Sequence, residues 1–398
     1  MVIKFLKNNL ALLMINIYWI FLLVLHNTSL SSIRKANLKI QLLFVLMLLF
    51  INIGYFCICY VKKTSTLGVI IRPCSSNKLE HSIIIWLILI SLILILIGLR
   101  SGVFSMSYKA YFLRMRGKDA EALTGIGLID FGIKIFIYPI LLAFLFIELY
   151  FRKFPKRIVF FTLGIIVFYV YLTQTNYALL AAIYVLGVYF ISGYGVFSIK
   201  QFIKIIIPLF ILIMIAATTR YGKFSFVKIF KYYFVDYYTL GFYMFQEKSQ
   251  GMQSAGLDFS FGRSLLGPIE LYINQFFRTI HLGSVFFPVY TENIDYNAIF
   301  IPAKINGAIS NAFDTILFTF YRDFSYPGIF AGSFLLGGLL GYAKKKKSIF
   351  YKVLYCYIIF VLLKGNSVSP FEQAYIYMTP FIFYIFSRKG EKKCLLSQ

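Results

Sequence analysis

The stretch SIIIWLILISLILILIGL, residues 82–99, decides the fold of this chain. It carries no charged side chain over 18 residues. An α-helix rises about 1.5 Å per residue, so this stretch covers about 27 Å as a helix. The hydrocarbon core of a bilayer is about 30 Å thick. The stretch therefore predicts a transmembrane helix.

Similar apolar stretches recur along the 398 residues, of which 60% are hydrophobic and 14% charged. Soluble domains average about a quarter charged residues. The stretches do not alternate apolar and polar residues, which argues against a β-barrel. We therefore predict an all-α polytopic membrane protein, with residues 1–398 forming a single integral membrane domain. About ten transmembrane helices are expected, near residues 9–25, 40–60, 82–99, 126–149, 158–174, 177–197, 204–218, 326–343, 350–364 and 375–388. No small-residue cleavage site follows the first stretch, so we expect it to be retained as a span.

Basic links between these stretches predict the topology. The links Phe151–Arg157, Lys344–Lys347 and Arg388–Lys393 fall on one side if there are ten spans. The positive-inside rule makes that side cytoplasmic. Both termini are then cytoplasmic, and residues 219–325, which we call the central segment, form one large external loop.

Two links break this rule. The first link, residues 28–39, carries Arg34, Lys35 and Lys39 on the predicted external side. The link between spans three and four carries five basic residues there, including Arg114 and Arg116. Either one span is miscounted or re-entrant, or the second of these links holds an anionic group.

Charge and motifs exclude several classes of function. A formal charge of +25 in a membrane protein suits contact with anionic lipid headgroups, so no nucleic-acid partner is expected. The five cysteines predict neither a disulfide nor a zinc site. The chain has no G-x-x-x-x-G-K-[ST] loop and no G-x-S-x-G elbow, and the central segment has no Asp-x-Asp pair. We expect chemistry without metal or cofactor, driven by an activated substrate.

The central segment supplies most of the candidate site residues. Residues 223–248 are rich in Phe and Tyr, which favours an interfacial amphipathic helix, with a surface that stacks on sugars as the alternative. Residues 298–320 predict a re-entrant or surface helix, or part of a span. An arginine binds phosphate oxygens through its planar fork, although arginines at span ends also contact headgroups. The favoured candidate phosphate ligands are Arg220 and Arg322, because both lie at a predicted membrane boundary. Arg114 and Arg116 come next, and Arg263 and Arg278 complete the set. The candidate general bases are Glu270, His281 and Asp323.

One local motif carries a family resemblance. It is Phe320-Tyr321-Arg322-Asp323-Phe324-Ser325-Tyr326-Pro327-Gly328, followed by glycines at 332, 337, 338 and 341. This motif and the large external loop resemble the Wzy-type polymerases of bacterial surface polysaccharides. Ser325 stands where the family pattern has glycine. Arg114 with Gly125, and Arg116 with Gly127, resemble an Arg-to-Gly spacing of eleven found in some members.

The resemblance implies a GT-C-like fold and a concrete reaction. The donor is a growing glycan on undecaprenyl pyrophosphate, and the acceptor is one oligosaccharide repeat unit on the same carrier. The acceptor hydroxyl attacks the anomeric carbon of the donor, and the lipid pyrophosphate leaves. The product is O-antigen of lipopolysaccharide or capsule, made in the bacterial cytoplasmic (inner) membrane. A chain-length regulator and a flippase are the implied protein partners, and the glycine-rich span is expected either to pack closely or to leave room for lipid.

Two alternatives share this setting. An O-antigen ligase-like transferase uses the same carrier and the same cations. A flippase for lipid-linked repeat units carries substrate charges within its spans. Here the intramembrane charges singled out are Asp130 and Lys134, four residues apart in span four, which suits a neutralising pair.

Overall fold

The structure, a computed structural model, describes thirteen stretches of the chain, which are mainly helical and contain no strand. They are residues 9–61, 75–107, 110–111, 132–151, 154–174, 177–192, 199–221, 225–254, 259–279, 301–307, 315–367, 369–373 and 375–394. Within them, Ile33 and Lys304 form one isolated antiparallel bridge.

The helices of these stretches follow one another in chain order. They are α1 (Leu10–Asn27), α2 (Leu38–Val61), α3 (Asn77–Ser101), α4 (Tyr138–Tyr150), α5 (Lys156–Thr173), α6 (Tyr177–Ile191), α7 (Ile199–Tyr221), α8 (Phe226–Phe230), α9 (Tyr237–Ser254), α10 (Gly267–Thr279), α11 (Ile316–Lys345), α12 (Ile349–Lys364) and α13 (Tyr375–Cys394). Wider π-helical turns, Ile133–Ile137 and Lys231–Asp236, lead into α4 and α9, and a 3-10 turn, Pro370–Glu372, precedes α13.

Five of these helices are long and apolar enough to cross a membrane: α1, α2, α3, α5 and α11. Each of the ten predicted spans overlaps a helix. In α3 the side chains of Leu92, Leu96 and Leu99 are exposed, as lipid-facing residues are. The prediction of a helical membrane protein is therefore confirmed, while ten crossings and a GT-C arrangement stay predictions.

The chain divides into two compact units. The first consists of Met1–Ser65, Phe230–Lys347 and Ile358–Tyr377, and the second of Thr66–Ile229, Ser348–Tyr357 and Met378–Gln398. In the second unit α4 packs against α5 and α6, and α3 packs against α5. The first unit contains α1, α2, α9, α10 and α11. Its most extensive helix pairing joins α2 to α11.

Glycines bring α2 and α11 into close contact. A Cβ atom added at Gly337 would lie 2.0 Å from the carbonyl oxygen of Ile51, and one at Gly54 would lie 2.0 Å from that of Phe334. A Cβ atom added at Gly341, one turn after Gly337, would lie 2.8 Å from the carbonyl oxygen of Tyr55. Small residues four apart let membrane helices approach until their backbones touch. At these positions the glycine-rich face serves close packing.

The first link folds together with the central segment. The backbone N–H of Arg34 donates to the carbonyl of Ala303 at 2.8 Å, and that of Ile305 donates to Ser32 at 2.9 Å. The buried carboxylate of Asp236 accepts hydrogen bonds from both the backbone N–H and the hydroxyl of Ser32. Residues in such direct contact lie on one side of a membrane, so the basic side chains of this link share the side of the central segment.

The structure of the central segment differs from two of the predictions made from its sequence. Residues 226–254 are helical, but α9 is largely an interior helix, because Phe242 and Phe245 pack on Phe44 of α2 with ring centroids 4.6 and 5.7 Å apart. Residues 301–307, predicted to be part of a helix, form turns and the isolated bridge. Gly307 has a φ of +79°, which ends regular structure there. The next helix in the described residues begins at Ile316.

Candidate functional site

The site is built on a break inside α11. Phe324 (φ −143°, ψ 25°) and Ser325 (φ 58°, ψ −146°) leave helical geometry, and Pro327 follows two residues later. The conformation of Ser325 lies close to a region that glycine occupies almost alone. A serine at position 325 is therefore held in a conformation that favours glycine.

The break leaves backbone carbonyls without their usual helical donors. Pro327 has no N–H, so it cannot donate to the carbonyl of Asp323 four residues earlier. The turn formed by residues 259–266 supplies the missing donors. The N–H of Phe261 donates to the carbonyl of Asp323 at 3.1 Å, and the N–H of Ser260 donates to the carbonyl of Arg322 at 2.9 Å. The 259–266 turn is therefore fixed to the break by its backbone.

The side chain of Asp323 reinforces this attachment. One carboxylate oxygen accepts from the hydroxyl of Ser260 at 2.5 Å and from the N–H of Ser264 at 2.8 Å. The other oxygen accepts from the N–H of Leu265 at 3.1 Å. The residue is fully buried. Hydrogen bonds to both carboxylate oxygens favour a positioning role for Asp323 over proton transfer.

Replacement of Asp323 by asparagine tests that role. The amide nitrogen cannot accept, so one donor of the 259–266 turn loses its partner at a cost of about 1.5–3 kcal/mol. We expect a lower thermal unfolding midpoint for the purified variant in detergent. Loss of activity with an unchanged midpoint would instead favour Asp323 as the proton acceptor.

An ion pair lies at the end of the same turn. A guanidinium nitrogen of Arg263 is 2.9 Å from a carboxylate oxygen of Glu270. Glu270 stands in the first turn of α10, where the partial positive charge of a helix N-terminus favours a carboxylate. The side chain of Arg263 is 41% exposed and that of Glu270 only 4%. The pair thus presents an accessible cation backed by a buried carboxylate.

Arg322 has the opposite setting. It is 1% exposed and ranks among the largest fully buried side chains in the described ranges. A cation held in the interior acts on a nearby anion through its field, because low dielectric surroundings screen it weakly. Between the two arginines, Arg263 is the one that a ligand reaches directly.

Four predicted residues belong to this region: Arg263 forms an ion pair with Glu270, and the turn that carries Arg263 is hydrogen-bonded to the Asp323 carboxylate and to the backbone carbonyl of Arg322. We call Arg263, Glu270, Arg322 and Asp323 the break cluster. For Arg220 and Arg278 it describes only the helical backbone, in α7 and α10 respectively. Arg114, Arg116 and His281 lie outside the described residues, as do Asp130 and the side chain of Lys134. Roles for these residues stay predictions.

Several residues around the break cluster were not predicted from the sequence. Ser260 and Ser264 hold Asp323, and the rings of Phe261 and Phe324 flank the break. The ammonium group of Lys39 lies 5.1 Å from the ring centre of Tyr326, which adds a further cation beside the break. A serine pair spaced by four around Phe-Gly-Arg is a turn signal that would have drawn attention to residues 260–264.

No group of three His, Cys, Asp or Glu side chains within the described ranges is placed as metal ligands would be. Compared with protein-family models, with curated proteins and with solved structures, the chain gives no match.

Proposed function

We propose that this protein is a membrane glycosyltransferase that joins lipid-linked oligosaccharide repeat units into a surface polysaccharide. The proposed substrate is an oligosaccharide on undecaprenyl pyrophosphate, and the proposed place is the outer face of a bacterial cytoplasmic membrane. The observation that carries the proposal is the break cluster. An ion pair between an exposed arginine and a buried carboxylate adjoins a turn that is hydrogen-bonded to Arg322 and Asp323, where a helix able to span a membrane loses its helical geometry.

The chemistry of such a transfer matches the cluster. The acceptor hydroxyl forms a bond to the anomeric carbon of the donor while the bond from that carbon to the diphosphate oxygen breaks. The departing diphosphate gains negative charge, which Arg263 stabilises by direct contact and Arg322 by its field. The hydroxyl proton passes to a base, and Glu270, the carboxylate paired with Arg263, is the candidate for that role.

The site also suits a lipid-linked substrate. A polyprenyl diphosphate carries its charge at the membrane boundary while its tail stays in the bilayer. The sequence places that boundary at Tyr326, and the break in α11 lies beside it at residues 324 and 325. The reaction draws its free energy from the sugar–diphosphate bond, so the proposal requires neither nucleotide nor metal.

Deletion of the gene tests the proposal through the surface glycan. We expect the ladder of long polysaccharide to collapse to a single repeat unit, and the intact gene to restore it. An unchanged ladder would contradict a polymerase. Complete absence of surface glycan would favour the ligase or flippase alternatives.

A further inference from the structure

Two aromatic rings stand exposed beside the break cluster. Phe261 is 75% exposed and Phe324 is 47% exposed. Their ring centres are 6.2 Å apart and their planes are inclined at 74°, an edge-to-face arrangement. We call this pair the aromatic platform.

The backbone under the platform is strained. Phe261 has a φ of +50° and Ser325, next to Phe324, has a φ of +58°. Three non-glycine residues of the described stretches have positive φ, and these are two of them. A positive φ is unfavourable for a residue that carries a Cβ atom. Strain of this kind persists mainly where function requires a particular geometry.

The platform is held by its backbone. The N–H of Phe261 donates to the carbonyl of Asp323, which directly precedes Phe324. Gly262, with a φ of +90°, lies close beneath the edge of the Phe324 ring, since an added Cβ atom would be 3.7 Å from it. Both rings are therefore presented in fixed positions while their surfaces stay open, as in a preorganised binding site.

Polar groups next to the platform narrow the class of ligand. Arg263 follows Phe261 by two residues and belongs to the same turn. Its guanidinium group forms an ion pair with Glu270. A pyranose ring has an apolar C–H face and a rim of hydroxyls, so it matches an aromatic surface bordered by hydrogen-bonding charges. An isoprenoid or acyl chain would use the rings alone.

We infer that the aromatic platform is a sugar subsite, in which a pyranose ring of the glycan stacks on the face of one of the two rings and contacts the other with its edge, while Arg263 contacts its hydroxyls. The identity of that glycan as a lipid-linked repeat unit rests on the proposed function. Stacking at this position would hold the sugar beside the cation that receives the diphosphate.

The test measures binding of the host's repeat-unit oligosaccharide, freed from its carrier by mild acid, to the purified full-length protein in detergent. Titrations followed by saturation-transfer NMR measure the dissociation constant of the oligosaccharide. We expect Phe261→Leu and Phe324→Leu each to weaken binding by about tenfold, because leucine keeps apolar area but loses the ring face. Phe261→Trp should bind like the wild type. Phe160→Leu, which alters an exposed ring on α5, serves as the matched control and should change nothing.

Binding to the leucine variants at wild-type affinity, or no binding to the wild type, would overturn the sugar subsite. Failure of the proposed function has a different signature. If the wild type binds the oligosaccharide through the rings but deletion of the gene leaves the glycan ladder unchanged, the result supports the sugar subsite and contradicts the proposed polymerase. If deletion of the gene collapses the ladder while Phe261→Leu changes neither oligosaccharide binding nor the ladder, the result supports the polymerase and contradicts the sugar subsite.

Discussion

Replacement of Arg263 by glutamine is expected to abolish the long polysaccharide while the protein stays at wild-type level in the membrane. Arg263 is the cation of the break cluster that a ligand reaches directly. Removal of one preorganised group that stabilises transition-state charge costs about 10²–10³ in rate. Arg263→Lys keeps the charge but loses the planar fork, so it should restore only short chains. The measurements are a surface-glycan gel and an immunoblot of membranes from a complemented deletion strain.

Two controls separate chemistry from folding in this experiment. Arg157→Gln removes an exposed arginine at the start of α5 and should leave the ladder unchanged. The double variant Arg263→Gln with Glu270→Gln removes the ion pair without leaving a buried carboxylate unpaired. If the Arg263–Glu270 ion pair is only structural, the double variant should make the long polysaccharide again. A normal ladder in Arg263→Gln alone would remove Arg263 from the mechanism.

Replacement of Gly337 by valine is expected to prevent the first unit from folding. The new side chain would meet the backbone carbonyl of Ile51 at 2.0 Å, and neither helix backbone gives way locally. Overpacking of a well-packed core costs about 1–3 kcal/mol when side chains can adjust, and backbone contact allows less adjustment. We expect loss of the monodisperse peak in size-exclusion chromatography of a fluorescent fusion protein.

Gly164 provides the matched substitution. It lies in α5, another helix able to cross a membrane, and an added Cβ atom meets nothing within 4 Å there. Gly164→Val should therefore elute as the wild type does. If Gly337→Val also elutes and unfolds as the wild type does, α2 and α11 are not in the close contact described.

The apolar stretches of the sequence predict the helices well, because length and apolarity alone decide which segments can cross a bilayer. The apolar stretch that predicts span eight begins at Tyr326, and the break at Ser325 lies directly before it. No comparable feature of the sequence predicts the hydrogen-bond partners of Asp323. Ser260 and Ser264 are about sixty residues away in sequence, and no periodic pattern connects a turn with a distant helix break.

Composition also failed to separate buried from exposed groups. The aromatic residues of α9 suited a membrane interface, but Phe242 and Phe245 are buried because Phe44 of α2 supplies a ring surface for them. Among the arginines, position in the sequence favoured Arg322, whereas the exposures favour Arg263 as the group that touches a ligand. Burial depends on the assembled fold, which neither residue type nor position in the sequence specifies.

The most direct measurement of the central claim uses purified protein and a lipid-diphosphate-linked repeat unit in detergent or liposomes, without nucleotide. The account predicts a ladder of elongated glycan and release of one polyprenyl diphosphate for each unit joined, with both signals lost in Arg263→Gln. Elongation that persists unchanged in that variant, or an active wild-type preparation that moves the lipid across the bilayer without joining units, would contradict it.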